Sequence, residues 1–230
     1  MHMAFRPEVT PFIIGCLAVF CCLGLALRLL RRPRGAWLCF ALALISAGYM
    51  LYFFRDPERS APADPSAVLA GADGVVVGIK PVMEPSHLKT NAVRISIFLS
   101  LLDVHVNRAP ISGRVSGTGL VHGARYFTFQ EKSSDLNHHT TILITNAASA
   151  CLVRQIAGPV ARRVVQWLRP GQIIGAGDRI GMMLFGSRLD MYLPESDVTV
   201  TARVGDRVRA GESVVATLNK AAPGQLPVQP

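Results

Sequence analysis

Two long apolar runs open the chain, and their pattern differs from everything that follows. Phe12 to Leu30 carries a single charge, Arg28, near its end, and Ala36 to Phe54 carries none. Each run has 19 residues, about what a helix needs to cross ~30 Å of hydrocarbon. Arg31, Arg32 and Arg34, with Pro33 and Gly35, separate them and predict a tight cationic turn between two membrane helices. A cleaved signal peptide fits less well, because a second run of equal length follows at once. Residues 1–54 are therefore expected to be a membrane anchor. From Arg55 to Pro65 the chain turns charged and Pro-rich, which predicts a hinge.

Beyond the hinge the hydrophobic period shortens. Gly74 to Ile79, Val93 to Ile97, Thr140 to Thr145 and Ala150 to Ile156 are short β-branched runs with turn residues between them. This pattern predicts a β-rich α+β domain over 66–218, followed by a flexible tail at 219–230. Residues 97–102 and 160–168 leave room for short helices. The segment from Pro170 to Gly181 also echoes the one from Ala202 to Glu212, both built around Val/Ile-x-x-Gly steps. Such segments resemble the barrel-sandwich hairpins of biotinyl and lipoyl carrier domains. A membrane-tethered carrier or adaptor without chemistry of its own is thus one reading. It requires a modifiable Lys at a hairpin tip, and Lys80, Lys89, Lys132 and Lys220 all lack the Met- or Ala-rich turn expected there. An inactive membrane scaffold is another.

Composition narrows the partners. The chain has 230 residues, 50% of them hydrophobic, and a formal net charge of +9 from 24 Lys and Arg against 15 Asp and Glu. Arg6, Arg28, Arg31, Arg32 and Arg34 fall in the first 35 positions, and the remaining cations are scattered among acids. No basic–aromatic stripe of the kind that reads nucleic acid is present; attraction to an anionic membrane surface accounts for the charge more simply. Cys16, Cys21, Cys22 and Cys39 lie inside the apolar runs, and Cys151 stands alone beyond them, so no disulfide framework is available. His138 and His139 are adjacent, and adjacent strand residues point to opposite faces. Without further ligands at supporting spacing, they predict no metal site.

The candidate chemistry sits at Gly186-Ser187, between the hydrophobic runs Met183-Leu184-Phe185 and Leu189 to Pro194. An isolated Gly-Ser step reads as a bulge or tight turn. This one follows Phe53-Phe54-Arg55-Asp56-Pro57, Ala72-Asp73-Gly74 and Leu102-Asp103-Val104-His105-Val106-Asn107-Arg108-Ala109-Pro110 in order. Together these segments resemble phosphatidylserine decarboxylases of the short bacterial and archaeal type, over residues ~50 to ~218. The resemblance implies self-cleavage between Gly186 and Ser187 into a large N-terminal and a small C-terminal chain that stay associated. It makes Ser187 the precursor of a pyruvoyl group, with no external cofactor. That group would hold the serine headgroup of phosphatidylserine as a Schiff base and accept the electron pair left by carbon dioxide, giving phosphatidylethanolamine.

The resemblance also assigns His105 to protonation of the α-carbon and Asp73 to orienting a histidine. Two departures qualify it. Arg108 stands where relatives typically carry a second His, which is implicated in activating the serine. After the matching Asn137, His138 and His139 replace Glu and Arg; with Asn137 and Arg108 they are candidate accessory residues. Phosphatidylserine in the bilayer is the implied partner, with a homo-oligomer left open. Localisation follows as the cell membrane, with the catalytic domain on the cytoplasmic face. The Arg-rich turn obeys the positive-inside rule only if it is cytoplasmic, which in a spanning hairpin places the remainder outside. A monotopic anchor, with both helices dipping into one leaflet, satisfies both and is preferred.

Overall fold

The structure, a computed structural model, describes residues 3–124, 126, 136–158, 164–184 and 187–220. It divides into two compact units, one ending at Glu58 and one beginning at Arg59.

In the first unit, strand β1 (Met3–Phe5) and a 3-10 turn (Pro7–Val9) lead into helix α1 (Thr10–Leu29). Helix α2 (Pro33–Phe53) and strand β2 (Arg55–Pro57) follow, and β2 pairs antiparallel with β1. Residues 55–57, expected in a hinge, are therefore a strand. Pro at the first turn of each helix fits because that position needs no intrahelical N–H. The helices are apolar on all sides, with Ile14, Val19, Leu29, Trp37, Leu44 and Ile45 exposed. Only 6% and 22% of the two spans are buried. A soluble core helix would hide such a surface; these two are long and apolar enough to cross a bilayer. They pack closely where Gly24 meets the Phe40 ring, since a Cβ there would lie 2.8 Å from Phe40 Cε1.

The second unit is β-rich. Its strands are β3 (Ala67–Leu69), β4 (Gly74–Glu84), β5 (Thr90–Leu99), β6 (Val106–Arg108), β7 (Gly113–Val121) and β8 (His139–Thr145). Next come β9 (Ala150–Ala157), β10 (Val164–Gln166), β11 (Ile173–Ile174) and β12 (Arg179–Met183). The last are β13 (Ser187–Pro194), β14 (Val198–Val200), β15 (Arg207–Val208) and β16 (Val214–Leu218). Eight of them form an antiparallel sheet in the order β11-β7-β8-β9-β13-β5-β4-β15, curled into a half-barrel. Two three-stranded sheets, β10-β12-β6 and β14-β16-β3, accompany it among the described residues. The helix considered for 97–102 is not formed. Ile97 to Leu99 end β5, hydrogen-bonded to β13 on one side and β4 on the other. Pairing on both sides satisfies the backbone that a helix would otherwise have to satisfy. Val164–Gln166, inside the other such segment, is a strand, and residues 159–163 lie outside the described residues.

Alternation sorts the sheet's two faces. Ile95, Ile97 and Leu99 of β5, Ile142 and Ile144 of β8, Cys151 and Val153 of β9, and Leu189, Met191 and Leu193 of β13 build one continuous core. Each such side chain contributes roughly 1.5–3 kcal/mol on burial. The echo between the two Gly-rich segments is structural. Gly171 N–H donates to Val115, Val115 N–H to Gln172, and Gly177 N–H to Ala109, at 2.7–2.8 Å. Gly205, Val76 and Gly211 make the same three bonds to Val76, Asp206 and Ala70 at 2.8–2.9 Å. Gly177 (φ +85°) and Gly211 (φ +73°) take left-handed backbone at the two tips. The tips touch: a Cβ on Gly211 would lie 3.2 Å from Gly177 Cα.

Candidate active site

Ser187 is the first residue of β13, with Leu99 of β5 opposite on one side and Ala157 of β9 on the other. It shares the inward parity of Leu189 and Met191, so its side chain belongs to the core face. The residue is 0% exposed, and its Oγ has no hydrogen-bond partner among the described residues. A buried hydroxyl without a partner costs about 1–3 kcal/mol, and native interiors rarely keep one without a use for it. Phe185 and Gly186 lie outside the described residues.

His105 is fully buried just before β6. Its Nδ1 lies 3.0 Å from the Asp103 carbonyl oxygen. A carbonyl only accepts, so Nδ1 carries the proton and, in the neutral ring, Nε2 holds the lone pair. The His105 carbonyl accepts from Met183 N–H at 3.1 Å, which ties the residue to the end of β12, four positions ahead of Ser187. The Asp103 carboxylate is engaged elsewhere. It accepts from Ser100 N–H (2.9 Å) and Oγ (2.6 Å) and pairs with Arg207 (2.7 Å), which closes the turn that delivers His105.

Asp73 is held by an arginine. Arg59 grips its carboxylate with both Nη atoms, the Nη2 contact being 2.7 Å, and Ala210 N–H adds a bond of 2.8 Å. Arg108, in the place of a second histidine, sends Nη1 2.9 Å to the Gly177 carbonyl, beneath the touching hairpin tips. A guanidinium stays protonated at any working pH, so it offers no base.

Asn137 is tied to the residue that pairs with the serine. Its Nδ2 donates to the carbonyl of Ala157, the residue opposite Ser187, at 2.9 Å. The His138 carbonyl accepts from Ala157 N–H at 3.0 Å, while its ring lies 5.2 Å from that of His122. His139 is buried, with Nδ1 2.7 Å from the Asn137 carbonyl. It takes the face of β8 opposite to Thr140. Cys151 is buried, and burial pushes its thiol far above the usual cysteine range, which removes it as a nucleophile.

Three more buried polar residues join them: Asn107, which lies in the His105 motif but is given no role there, and Thr140 and Gln155. Thr140 Oγ1 donates to Gln155 Oε1 at 2.8 Å, and Gln155 Nε2 donates to Asn107 Oδ1 at 2.7 Å. Gln155 follows Cys151 and Val153 at the same inward parity, two residues before Ala157. A glutamine on the apolar stripe of a strand is the signal that marks it in the sequence. Gly181, opposite Asn107, leaves the space: a Cβ there would lie 2.9 Å from Gln155 Nε2.

The hairpin tips carry Ala176-Gly177-Asp178 and Ala210-Gly211-Glu212, neither with a lysine to modify. A phosphatidylserine decarboxylase family model matches residues 47–216. Three relatives named phosphatidylserine decarboxylase proenzyme align over most of the chain. That of Geobacter metallireducens is 38% identical over 212 residues, 92% of this chain and 95% of its own. That of Prosthecochloris aestuarii is 39% identical over 213 residues, covering 93% and 95%. The Desulfotalea psychrophila protein is 41% identical over 173 residues, covering 75% and 80%.

Proposed function

The chain belongs to the phosphatidylserine decarboxylase family, a family of carboxy-lyases, and we propose that Ser187 is both the nucleophile that cuts the chain and the precursor of its cofactor. One observation carries this reading: the buried Ser187 Oγ without a hydrogen-bond partner among the described residues. Ser187 Oγ adds to the Gly186 carbonyl and converts the amide to an ester. Loss of the Ser187 α-proton then breaks the ester C–O bond, frees the upstream chain and leaves a dehydroalanine, whose hydrolysis releases ammonia. The residues present fit a pyruvoyl group at this position, since the buried Ser187 shares the inward face of the sheet with the polar side chain of Gln155. That group supplies an electrophilic ketone that takes up the substrate amine and accepts the electron pair left by carbon dioxide.

The side chains then divide the work. With its Nδ1–H held by the Asp103 carbonyl, His105 takes a proton onto Nε2 and, as the imidazolium, delivers it from Nε2 to the substrate α-carbon, returning to the neutral ring. Asp73 is a positioning residue: through Arg59 and Ala210 it fixes the hairpin whose Gly211 packs against Arg108. Asn137 fixes Ala157 opposite Ser187; of the candidate bases for self-cleavage, His105, His138 and His139, alternation turns His139 to the face of β8 opposite to the inward Thr140 and so away from Ser187. The substrate is phosphatidylserine and the product phosphatidylethanolamine. The two apolar helices keep the enzyme at the bilayer that holds its substrate, monotopic, with the Arg28–Arg34 turn among anionic headgroups and the catalytic unit on the cytoplasmic face. The test is Ser187→Ala, which should remain one uncut polypeptide and release no carbon dioxide from phosphatidylserine vesicles. A Ser187→Ala chain that still separates into two fragments would remove Ser187 from the role.

A further inference from the structure

The Thr140–Gln155–Asn107 chain of hydrogen bonds has a direction. The Thr140 hydroxyl donates to Gln155 Oε1, so the Gln155 amide must present its NH2 to Asn107. Asn107 answers with Oδ1, which turns its own NH2 away from Gln155. That Nδ2 is buried and has no hydrogen-bond partner among the described residues. Strand register sets its partner Gln155 beside the serine. Gln155 stands opposite Leu189, and Ala157 opposite Ser187, so Gln155 and Ser187 are diagonal neighbours on the inward face. Asn107 caps the Gln155 head from β6, while Arg108, the next residue, is directed to the hairpin tips. One interior thus holds a buried donor without an acceptor and a buried hydroxyl without a partner. Three aliphatic side chains would fill the same space without the desolvation cost of ~1–3 kcal/mol for the orphaned amide.

We propose that Asn107 is the catalytic oxyanion donor of chain maturation, with Gln155 and Thr140 as its positioning residues. The proposal rests on the reading that Ser187 is the cleavage nucleophile. When Ser187 Oγ bonds to the preceding carbonyl carbon, the π pair moves onto the carbonyl oxygen and the Oγ proton passes to a base. Asn107 Nδ2–H binds that anionic oxygen. As the pair returns, the C–N bond breaks, the Ser187 nitrogen takes a proton, and the ester remains. Preorganised donors of this kind are worth roughly 10²–10³-fold in rate.

The experiment follows conversion of full-length precursor to its two chains in a pulse–chase, on gels, with cooperative melting as the check of folding. Asn107→Asp keeps the acceptor for Gln155 but loses the NH2 donor, and should cut about 10²-fold more slowly than the wild type. Gln155→Glu still accepts from Thr140 but draws the Asn107 NH2 onto itself, and should slow cutting similarly. Lowering the pH protonates the introduced carboxyl in Asn107→Asp and should recover part of the deficit relative to wild type at the same pH. A residue that served only as structural acceptor would tolerate Asn107→Asp and show no such recovery. Should Asn107→Asp fail to melt cooperatively, Asn107→Ala is scored by the same rate. Wild-type cutting rates in these variants overturn the proposal. A wild-type chain that is never cut, or is cut elsewhere, instead overturns the assignment of Ser187 on which it rests.

Discussion

Replacing Asp73 with Ala should destabilise the second unit severely, by an amount that follows from what Asp73 holds. Its side chain is 13% exposed and that of Arg59 only 7%, so the pair is largely out of water. The change removes two charge-assisted contacts from Arg59 and the acceptor of the Ala210 N–H. Removing one partner of a buried ion pair typically costs about 3–5 kcal/mol. The orphaned Ala210 N–H belongs to the same cluster, so its loss overlaps this figure and is not added to it. For a unit of this size each kcal/mol lowers the melting temperature by about 2–4 °C, which predicts a fall of roughly 10 °C. The assay is thermal unfolding of the full chain in detergent. A Ser187→Ala background keeps every molecule uncut, so that differences in maturation do not enter. Asp73→Leu combined with Arg59→Met removes both charges and should recover most of the loss. If Asp73→Ala costs under about 1 kcal/mol, the pair does not hold the hairpin and Asp73 must be sought in the chemistry itself.

The remaining predictions concern acid, space and the proton donor. Burial alone would raise the Glu84 carboxyl, but N–H bonds from His87 and Leu88, with Arg154 and His87 as nearby cations, outweigh it and hold it below the usual range. The unfolded chain therefore binds this proton more readily. Glu84 contributes stability above its ordinary value of about 4.3 and loses it as the pH falls through the lower folded value. Glu84→Gln should flatten the acid limb of a stability–pH curve, and an unchanged limb would refute this. Gly181→Ala places a Cβ 2.5 Å from the Val165 carbonyl oxygen and 2.9 Å from Gln155 Nε2. It should cost roughly 1–3 kcal/mol and slow chain cutting; normal cutting would separate the Gln155 chain from maturation. His105→Ala, assayed on material already cut, should lose about 10²–10⁴-fold in turnover, and wild-type turnover would make His105 structural.

What could be read in the sequence was local. The two helices follow from unbroken apolar length, and β4, β5, β8 and β9 from β-branched runs with alternating faces. The echo at 170–181 and 202–212 was visible because both tips need glycine at the same place. Ser187 and His105 stood out because their neighbours form motifs. Long-range pairing hid the rest. Residues 97–102 left room for a short helix until β13 and β4 claimed the backbone of 97–99. Arg59, in a Pro-rich segment expected to be a hinge, gains its role only when Asp73 arrives. Asn107, Thr140 and Gln155 are separated along the chain and become a unit only through the packing of β6, β8 and β9.

The central claim is that Ser187 becomes the catalytic group, and intact mass spectrometry of the purified wild-type chain tests it most directly. Two polypeptides should be found, the upstream one ending at Gly186. The downstream one should begin at position 187 and be lighter, by one ammonia, than a peptide starting with serine; it should also gain a phenylhydrazine adduct as that reagent abolishes decarboxylation. A fully active preparation made of one intact polypeptide, or a downstream chain that begins with an unmodified serine, would contradict the account.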